Sequence, residues 1–288
     1  MHAADTTPDT FSGKVCVVTG AGSGIGRALA LNLAVHGARL ALSDIDAETV
    51  GETARLAVQV GAEVDVQTLD VANRAAVGAY ADHVHERLGN ANLVINNAGV
   101  AVGADIEDLS YEDFDWIMGI DFWGVVHGTK SFLPQLIASG DGHIVNISSV
   151  FGIIAVPGQG SYNAAKFAVR GFTEALRQEM LAGNAPVTVS CVHPGGIRTN
   201  IARSARTAGK HAMDPEQAGR EFDRIARTTP TQAAAIILRG AAGGKPKILV
   251  GPDAYLIDWM QRLTGAGYQR LVYRVGKLAA RRAAKHRS

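Results

Sequence analysis

The residues best suited to chemistry are Tyr162 and Lys166, which lie four positions apart where helical spacing of apolar residues begins. Side chains four residues apart share one face of a helix. A phenol with a pKa near 10 is a poor base at neutral pH, but a nearby ammonium and the positive end of a helix favour its phenolate. The pair could therefore exchange a proton with a substrate, although such a pair taken alone is more often a surface pair.

A serine pair precedes this tyrosine. Ser148 and Ser149 follow an apolar, β-branched segment, and Tyr162 comes 13 residues after Ser149. A serine hydroxyl can donate a hydrogen bond to a substrate oxygen on which negative charge develops. The three residue types together suit acid/base chemistry on an alcohol or a carbonyl.

The elements that must position these side chains alternate regularly along the chain. Short apolar segments alternate with helical patterns of ten residues or more, which is typical of βαβ units and of a parallel sheet covered on both faces. We therefore predict a single α/β domain with a Rossmann-like, doubly wound sheet of seven parallel strands flanked by helices. The predicted strands are Lys14–Thr19, Arg39–Ser43, Glu63–Thr68, Asn92–Asn96, His143–Ser148, Val187–Val192 and Lys247–Val250. One long helix is predicted over Tyr111–Ala138.

A glycine-rich segment follows the first predicted strand. Gly20, Gly22, Gly24 and Gly26 precede a helical pattern in the stretch Thr19-Gly-Ala-Gly-Ser-Gly-Ile-Gly. Glycines allow a tight turn and a close approach to a pyrophosphate, which the helix N-terminus also attracts. The position after the first strand favours a phosphate-binding loop over a simple strand-to-helix turn.

Acidic residues follow the next two strands. Asp44 stands 18 residues beyond Gly26, where a carboxylate can accept from both ribose hydroxyls and repel a 2′-phosphate. This favours NAD over NADP, although Arg27 beside the glycines weakens the argument. Asp70 could accept from an adenine amino group. For each aspartate, capping of the following helix is the alternative role.

The bulk composition limits the possible partners. The formal net charge of the 288 residues is +1, so we expect no nucleic-acid binding by the chain as a whole. No apolar stretch reaches the length of a membrane span, and the first residues lack the apolar core of a secretory signal. Cys16 and Cys191 lie in apolar segments and are expected to be buried, reduced thiols, which suggests a cytoplasmic protein. No metal site is predicted.

With these motifs in order, the chain resembles the short-chain dehydrogenase/reductase family. The resemblance extends from about Lys14 to Gly251, which is nearly the whole predicted domain. The matching motifs are TGAGSGIG at 19–26, DV at 70–71, NNAG at 96–99, Ser149, YNAAK at 162–166 and PGGIRT at 194–199. Their joint order and spacing are highly specific.

The resemblance implies a role for each matching residue. Tyr162 would be the proton donor or acceptor, Lys166 would lower its pKa and hold the nicotinamide ribose, and Ser149 would hold the substrate oxygen. The cofactor would be NAD, with NADP less favoured. The residues implied in cofactor binding, in addition to Tyr162 and Lys166, are Gly20, Ser23, Gly24, Ile25, Gly26, Asp44, Asp70, Val71, Asn97, Ala98, Gly99, Pro194, Gly195, Ile197 and Thr199.

One catalytic position departs from the family pattern. The family has an asparagine in an N-x-x-G setting within the long helix, whereas this chain has Asp121 followed by Phe122, Trp123 and Gly124. In the family the main-chain carbonyl of that residue holds a water of the proton relay, and its side chain steadies a distortion of the helix. Aspartate keeps the carbonyl but loses the amide donor, and a buried carboxylate needs partners or a raised pKa. We expect Asp121 to retain a catalytic role.

The predicted domain organisation has three parts. Residues 1–13 are expected to be a flexible leader, 14–251 the catalytic domain with a substrate lid at about 200–227, and 252–288 a basic, helical C-terminal extension. The resemblance implies a homodimer or homotetramer formed through the helices beginning near 111 and 162. The apolar stripe of the extension is expected to pack on a neighbouring element, and its basic end to be solvated rather than bound to a membrane.

The apolar loop at 151–157 borders the expected substrate pocket and indicates a small hydrophobic secondary alcohol or ketone as substrate, unless its side chains only pack the core. The leading hypothesis is an NAD-dependent alcohol dehydrogenase or ketone reductase. The alternatives are a reductase of 3-oxoacyl substrates linked to a carrier or CoA, which Asp44 argues against, and a nucleotide-binding protein with impaired catalysis, which Asp121 suggests.

Overall fold

Seven parallel strands form the centre of the protein, as the sequence predicts. The computed structural model describes residues 9–212 and 214–274. The strands of the main sheet run in the order β3-β2-β1-β4-β6-β7-β9, and every neighbouring pair is parallel. Their bounds are β1 Val15–Thr19, β2 Arg39–Asp44, β3 Val64–Thr68, β4 Leu93–Asn96, β6 Gly142–Ile147, β7 Val187–Pro194 and β9 Lys247–Val250.

Helices cover both faces of this sheet, and each face has its own apolar core. One core contains Leu29 and Leu33 of the first helix, and the other contains Phe132 and Leu136 of the fifth. The helices are α1 Gly24–Val35, α2 Ala47–Gln59, α3 Arg74–Leu88, α4 Tyr111–Met118, α5 Gly124–Ala138, α6 Gly160–Ala182, α7 Pro215–Ile225, α8 Pro230–Ala242 and α9 Pro252–Thr264.

The strand order places the functional motifs at one edge of the sheet. Because β1 is followed in space by β2 on one side and β4 on the other, the chain direction across the sheet reverses between β1 and β4. Ligands of such sheets bind at this reversal, beyond the carboxyl ends of the strands. The glycine loop, the NNAG segment and the serine pair all follow strands that end at this edge.

Two predicted boundaries are corrected. The helix predicted over Tyr111–Ala138 is two helices, α4 and α5, because a π-helical turn at Gly119–Trp123 separates them. The predicted leader also extends too far, since Phe11 is fully buried and its ring contacts His143 edge-on. The residues before Asp9 lie outside the described part of the chain.

The predicted lid contains more structure than its sequence indicates. A two-stranded parallel sheet pairs β5 (Val102–Gly103) with β8 (Arg206–Thr207). Arg206 also forms an ion pair with Asp113 at 2.8 Å and lies over the Trp116 ring, with 3.8 Å between the guanidinium carbon and the ring centroid. Through these contacts the middle of the predicted lid packs against α4.

The C-terminal extension packs on the catalytic domain rather than standing apart from it. Tyr268 is buried against Ile153 and Ile154, and its hydroxyl accepts a hydrogen bond from the Ala155 amide at 3.0 Å. Arg270 and Arg274 belong to the described part, whereas the basic residues from Lys277 onward lie outside it. Both cysteines are buried and free, as predicted. None of the helices in the described ranges is long and apolar enough to cross a membrane.

Candidate active site and cofactor cleft

The start of α6 brings the candidate catalytic residues together. Tyr162 and Lys166 lie one turn apart, with 5.5 Å between the lysine Nζ and the centre of the phenol ring. Ser149 lies two residues beyond β6, and its hydroxyl is close enough to Tyr162 to lower the pKa of the phenol. The structure therefore brings together the three side chains that the sequence analysis singled out.

The two neighbouring serines have different environments. The Ser148 hydroxyl is buried and donates to the Lys166 carbonyl at 2.8 Å, so it supports the turn of α6 that carries the lysine. The Ser149 hydroxyl accepts from the Phe151 amide at 3.1 Å and faces the tyrosine. Because the Ser148 hydroxyl is already bonded within the protein, Ser149 rather than Ser148 is the candidate to bind the substrate oxygen.

The electrostatic balance at Tyr162 has several parts. Burial raises the pKa of the phenol above its usual value and is the largest effect. The Lys166 charge lowers that pKa, the Asp121 charge raises it and the hydrogen bond with Ser149 lowers it. The lysine effect expected from the sequence is therefore present, but burial and Asp121 oppose it.

Asp121 lies in the π-helical turn, where it is completely buried. One carboxylate oxygen lies 2.9 Å from the Nζ of Lys166, and the other accepts from the Val100 amide at 2.8 Å. A π-helical turn inside a helix often marks a functional site. Burial raises the pKa of this carboxyl, and the nearby ammonium of Lys166 opposes that rise.

The glycine loop is tightly enclosed by its neighbours. Gly20 has a φ of +63°, and a Cβ atom there would lie 2.8 Å from the Ala98 Cα. A Cβ atom at Gly26 would lie 1.9 Å from the Gly20 carbonyl oxygen, so α1 can pack this close only with glycine. The Asn97 side chain donates to the carbonyls of Thr19 and Gly20, which joins the NNAG segment to this loop.

The N-terminus of α1 is open for an anion. Ser23 occupies the N-cap position, is exposed and makes no side-chain cap hydrogen bond. The first N–H groups of a helix have no intrahelical partners, and here the N-cap side chain does not bond to them either. The helix dipole also favours negative charge at this end. Thr199 faces Gly24, since a Cβ atom at that glycine would lie 3.1 Å from the threonine methyl group. The two loops therefore lie against each other at the carboxyl end of the sheet, which is the candidate cofactor cleft.

Asp44, the last residue of β2, and Asp70, two residues beyond β3, are not the caps of the following helices. Asp46 caps α2 and Asn73 caps α3. Asp44 instead accepts from the Gly22 amide at 2.8 Å, which places its carboxylate beside the glycine loop. The exposed Asp70 accepts from the Ala72 amide at 2.9 Å.

The remaining predicted cofactor residues lie at or just beyond the carboxyl ends of strands at the same edge of the sheet. Val71 is buried, and a Cβ atom at Gly124 would lie 2.7 Å from its side chain. Gly99 is next to the catalytic centre, since a Cβ atom there would lie 3.4 Å from the Lys166 Nζ. Pro194 is the last residue of β7, and Gly195, Ile197 and Thr199 lie in the loop that follows; the Ile197 side chain is in the core.

Two residues that support the site were not recognised from the sequence. Asp253, in the first turn of α9, accepts from the Gly196 amide at 2.6 Å and so connects the C-terminal extension to the cofactor loop. The second is His193, whose Nδ1 donates to the Ser149 carbonyl at 2.9 Å. A buried histidine at a strand end next to a catalytic serine is the signal that could have suggested this contact.

We expect His193 to make the fold sensitive to acid. Burial lowers its pKa to about 4 from a usual value near 6.5, so the unfolded chain binds a proton at higher pH than the folded one. The stability that depends on the neutral ring is complete above about pH 6.5 and is lost progressively down to about pH 4. The total loss is on the order of 3 kcal/mol.

Urea unfolding at several pH values between 4 and 7.5 tests this prediction. His193→Asn should show a flatter pH dependence than the wild type, and His85→Asn, at an exposed position, is the control. Equal slopes for the wild type and His193→Asn would show that His193 does not contribute to acid sensitivity.

Comparison with known proteins agrees with the geometry. The family model for short chain dehydrogenase matches residues 14–210. The chain is 55% identical over 264 residues to SadH of Mycobacterium tuberculosis, which is named as an oxidoreductase; the match covers 91% of this chain and 95% of the relative. It is 36% identical over 231 residues to mouse epidermal retinol dehydrogenase 2, covering 77% of this chain and 74% of that protein.

A solved structure has the same architecture. A short-chain dehydrogenase/reductase from Burkholderia phymatum in complex with NAD superposes with a TM-score of 0.81 at 33% sequence identity, covering 88% of this chain and 94% of the other. The chain belongs to the short-chain dehydrogenase/reductase family. It is an oxidoreductase of the class that acts on CH–OH groups with a nicotinamide dinucleotide.

Proposed function

We propose that this enzyme interconverts a hydrophobic secondary alcohol and its ketone, with NAD as the cofactor and Tyr162 as the acid/base. The observation that carries the proposal is the placement of Ser149, Tyr162 and Lys166 at the open edge of the sheet, beside the glycine loop. The bound nicotinamide supplies or accepts the hydride. In the direction of reduction, the Tyr162 hydroxyl gives its proton to the carbonyl oxygen as the hydride reaches the carbonyl carbon.

The other two side chains prepare that transfer. Ser149 donates a hydrogen bond to the substrate oxygen, where it stabilises the developing negative charge. Lys166 has three N–H protons, of which one is directed to the Ile147 carbonyl at 3.2 Å and one is available to Asp121 at 2.9 Å. The third remains for a ribose hydroxyl of the cofactor.

The residues of the cleft fit a dinucleotide. The open N-terminus of α1 suits the pyrophosphate, Thr199 across the cleft suits the carboxamide, and Asp70 beyond β3 suits the adenine. Asp44 supports NAD over NADP, because its carboxylate would repel a 2′-phosphate. Arg27 does not offset this, since its guanidinium donates to Thr53 and to the Thr49 carbonyl.

The apolar loop after the serine supports a hydrophobic substrate, but not with all of its residues. Ile153 and Ile154 pack against Tyr268 and belong to the core. Phe151 is only partly buried, and its ring meets the Tyr162 ring edge-on with 6.1 Å between centroids. Phe151 is thus the residue of this loop best placed to contact a substrate at Tyr162.

We also propose that the enzyme works as a homodimer or homotetramer. Within the chain, Tyr255, Leu256, Trp259 and Leu263 of α9 remain mostly exposed. Exposed apolar patches of this kind often mark protein interfaces. Met260 of the same stripe packs against the cluster around Tyr268, whereas these four side chains are not covered by the described residues. A second subunit would cover them.

The proposed function is tested by measuring nicotinamide absorbance during oxidation of a panel of hydrophobic secondary alcohols and reduction of the matching ketones. We expect turnover with NAD(H) and much less with NADP(H). The panel should include 3-oxoacyl thioesters. Turnover restricted to the thioesters would favour the 3-oxoacyl reductase alternative, and NADH binding without any turnover would favour a protein with impaired catalysis.

Replacing Asp44 should relax the preference for NAD. A hydrogen bond to a charged group contributes about 1.5–3 kcal/mol, so Asp44→Ala should raise the KM for NAD on the order of tenfold or more while improving use of NADP. Asp44→Asn is the matched variant, because its amide oxygen can still accept from Gly22 while the charge is gone. If neither variant changes the ratio of kcat/KM for the two cofactors, Asp44 only fixes the glycine loop.

A further inference from the structure

The ion pair of Lys166 and Asp121 is buried in the centre of the site. Their side chains are 5% and 0% exposed, and 2.9 Å separates the Nζ from the carboxylate oxygen. The second carboxylate oxygen accepts a hydrogen bond from the Val100 amide, and the first faces the ammonium as an ion pair. The ammonium that the tyrosine needs is thus in direct contact with a negative charge.

The other ionisable groups near the pair are neutral. His193, on β7 behind Ser149, is uncharged near neutral pH because burial lowers its pKa to about 4. Cys191, also on β7, stays a thiol because burial raises its pKa to about 12. From α6 and the π-helical turn, only Lys166 and Asp121 place charges near Tyr162. Their formal charges cancel, whereas a neutral residue at 121 would leave one positive charge.

Resting on the proposed function, we propose that Asp121 is a positioning residue that neutralises Lys166, keeps Tyr162 as a phenol at neutral pH and so extends to higher pH the range over which the site reduces a ketone at its full rate. Reduction needs the phenol, because it gives a proton to the product oxygen. Oxidation needs the phenolate, because it takes the proton from the alcohol. A site that holds the phenol therefore has its active form for reduction over a wider range of pH.

The Asp121→Asn variant removes the negative charge at position 121 without changing the size of the side chain. Asparagine has the same size, and its amide oxygen can accept from Val100 as the carboxylate does. The change therefore removes one negative charge beside Lys166 and keeps the main contact that holds the side chain. An opposite charge within about 4–6 Å shifts a pKa by roughly one to three units, so loss of the neutralising charge should be measurable.

The first test compares pH profiles of kcat/KM for NADH-dependent ketone reduction and NAD-dependent alcohol oxidation. In Asp121→Asn, both the fall in reduction and the rise in oxidation should move to lower pH, by on the order of one unit. Asp115→Asn makes the same charge change at an exposed position of α4 and should leave both profiles in place. If the pH profiles of a folded Asp121→Asn enzyme coincide with those of the wild type, the proposal is overturned.

A second test does not need turnover. With 13C at the Cζ of tyrosine, the resonance that is lost in Tyr162→Phe identifies Tyr162, and its titration follows the phenol directly. Asp121→Asn should lower the midpoint, and Asp121→Ser should do so if the first variant folds poorly. An unchanged midpoint in both would overturn the proposal. If the wild type turns over no ketone, the proposed function fails, while this titration still decides the role of Asp121.

Discussion

Tyr162→Phe should reduce kcat/KM by roughly 10²–10⁴-fold, which is the usual size of a general acid/base contribution. The variant removes only the hydroxyl, so the ring still meets Phe151 and the helix start is unchanged. Binding of NADH should therefore remain close to that of the wild type. The kinetic measurement is a comparison of kcat/KM in both directions, combined with titration of NADH fluorescence.

The matched control is Tyr111→Phe, at the highly exposed first residue of α4. It makes the same chemical change away from the cleft and should keep wild-type kinetics. Retained turnover in Tyr162→Phe would show that another group moves the proton, and the assignment of the tyrosine would be wrong.

Lys166→Met should abolish activity and also destabilise the fold. The lysine is the counter-charge of Asp121, and removal of one member of a buried ion pair typically costs about 3–5 kcal/mol. This is a large part of the 5–15 kcal/mol that stabilises a typical protein. The cost should be smaller at acid pH, because burial raises the pKa of the Asp121 carboxyl and a protonated acid carries no buried charge.

Urea unfolding measures this cost, with Lys130→Met on the exposed face of α5 as the control. The double variant Lys166→Met with Asp121→Asn should recover most of the lost stability, since it removes both charges, but none of the activity. A single variant as stable as the wild type at neutral pH would contradict the existence of a buried, charged pair. So would a double variant that is no more stable than the single one.

The fold, and the proximity of the candidate catalytic side chains, could be predicted from the sequence because their signals are local. A strand, a glycine turn and a helix start lie within a dozen residues, and the rule that ligands bind beyond strand ends brings Gly20, Ser149 and Tyr162 to one edge. The class of fold and of enzyme followed from this placement and was confirmed.

Other features depend on contacts between distant segments, for which the sequence has no local pattern. The pair of Asp121 and Lys166 spans two helices, and the π-helical turn that places the aspartate is not visible in apolar periodicity. The contact between Asp253 and the amide of Gly196 was missed for the same reason. Phe11 was assigned to a loose leader because a single aromatic residue in a polar segment does not indicate burial.

The proposed reaction requires direct hydride transfer between the nicotinamide and the carbon that bears the substrate oxygen. The most direct measurement supplies NADH dideuterated at C4 with a hydrophobic ketone that the wild type reduces, and determines the mass of the alcohol formed. We predict one deuterium in each product molecule and none in the product from unlabelled NADH in D2O after exchangeable sites are washed out. Product without deuterium from the labelled cofactor would contradict direct hydride transfer.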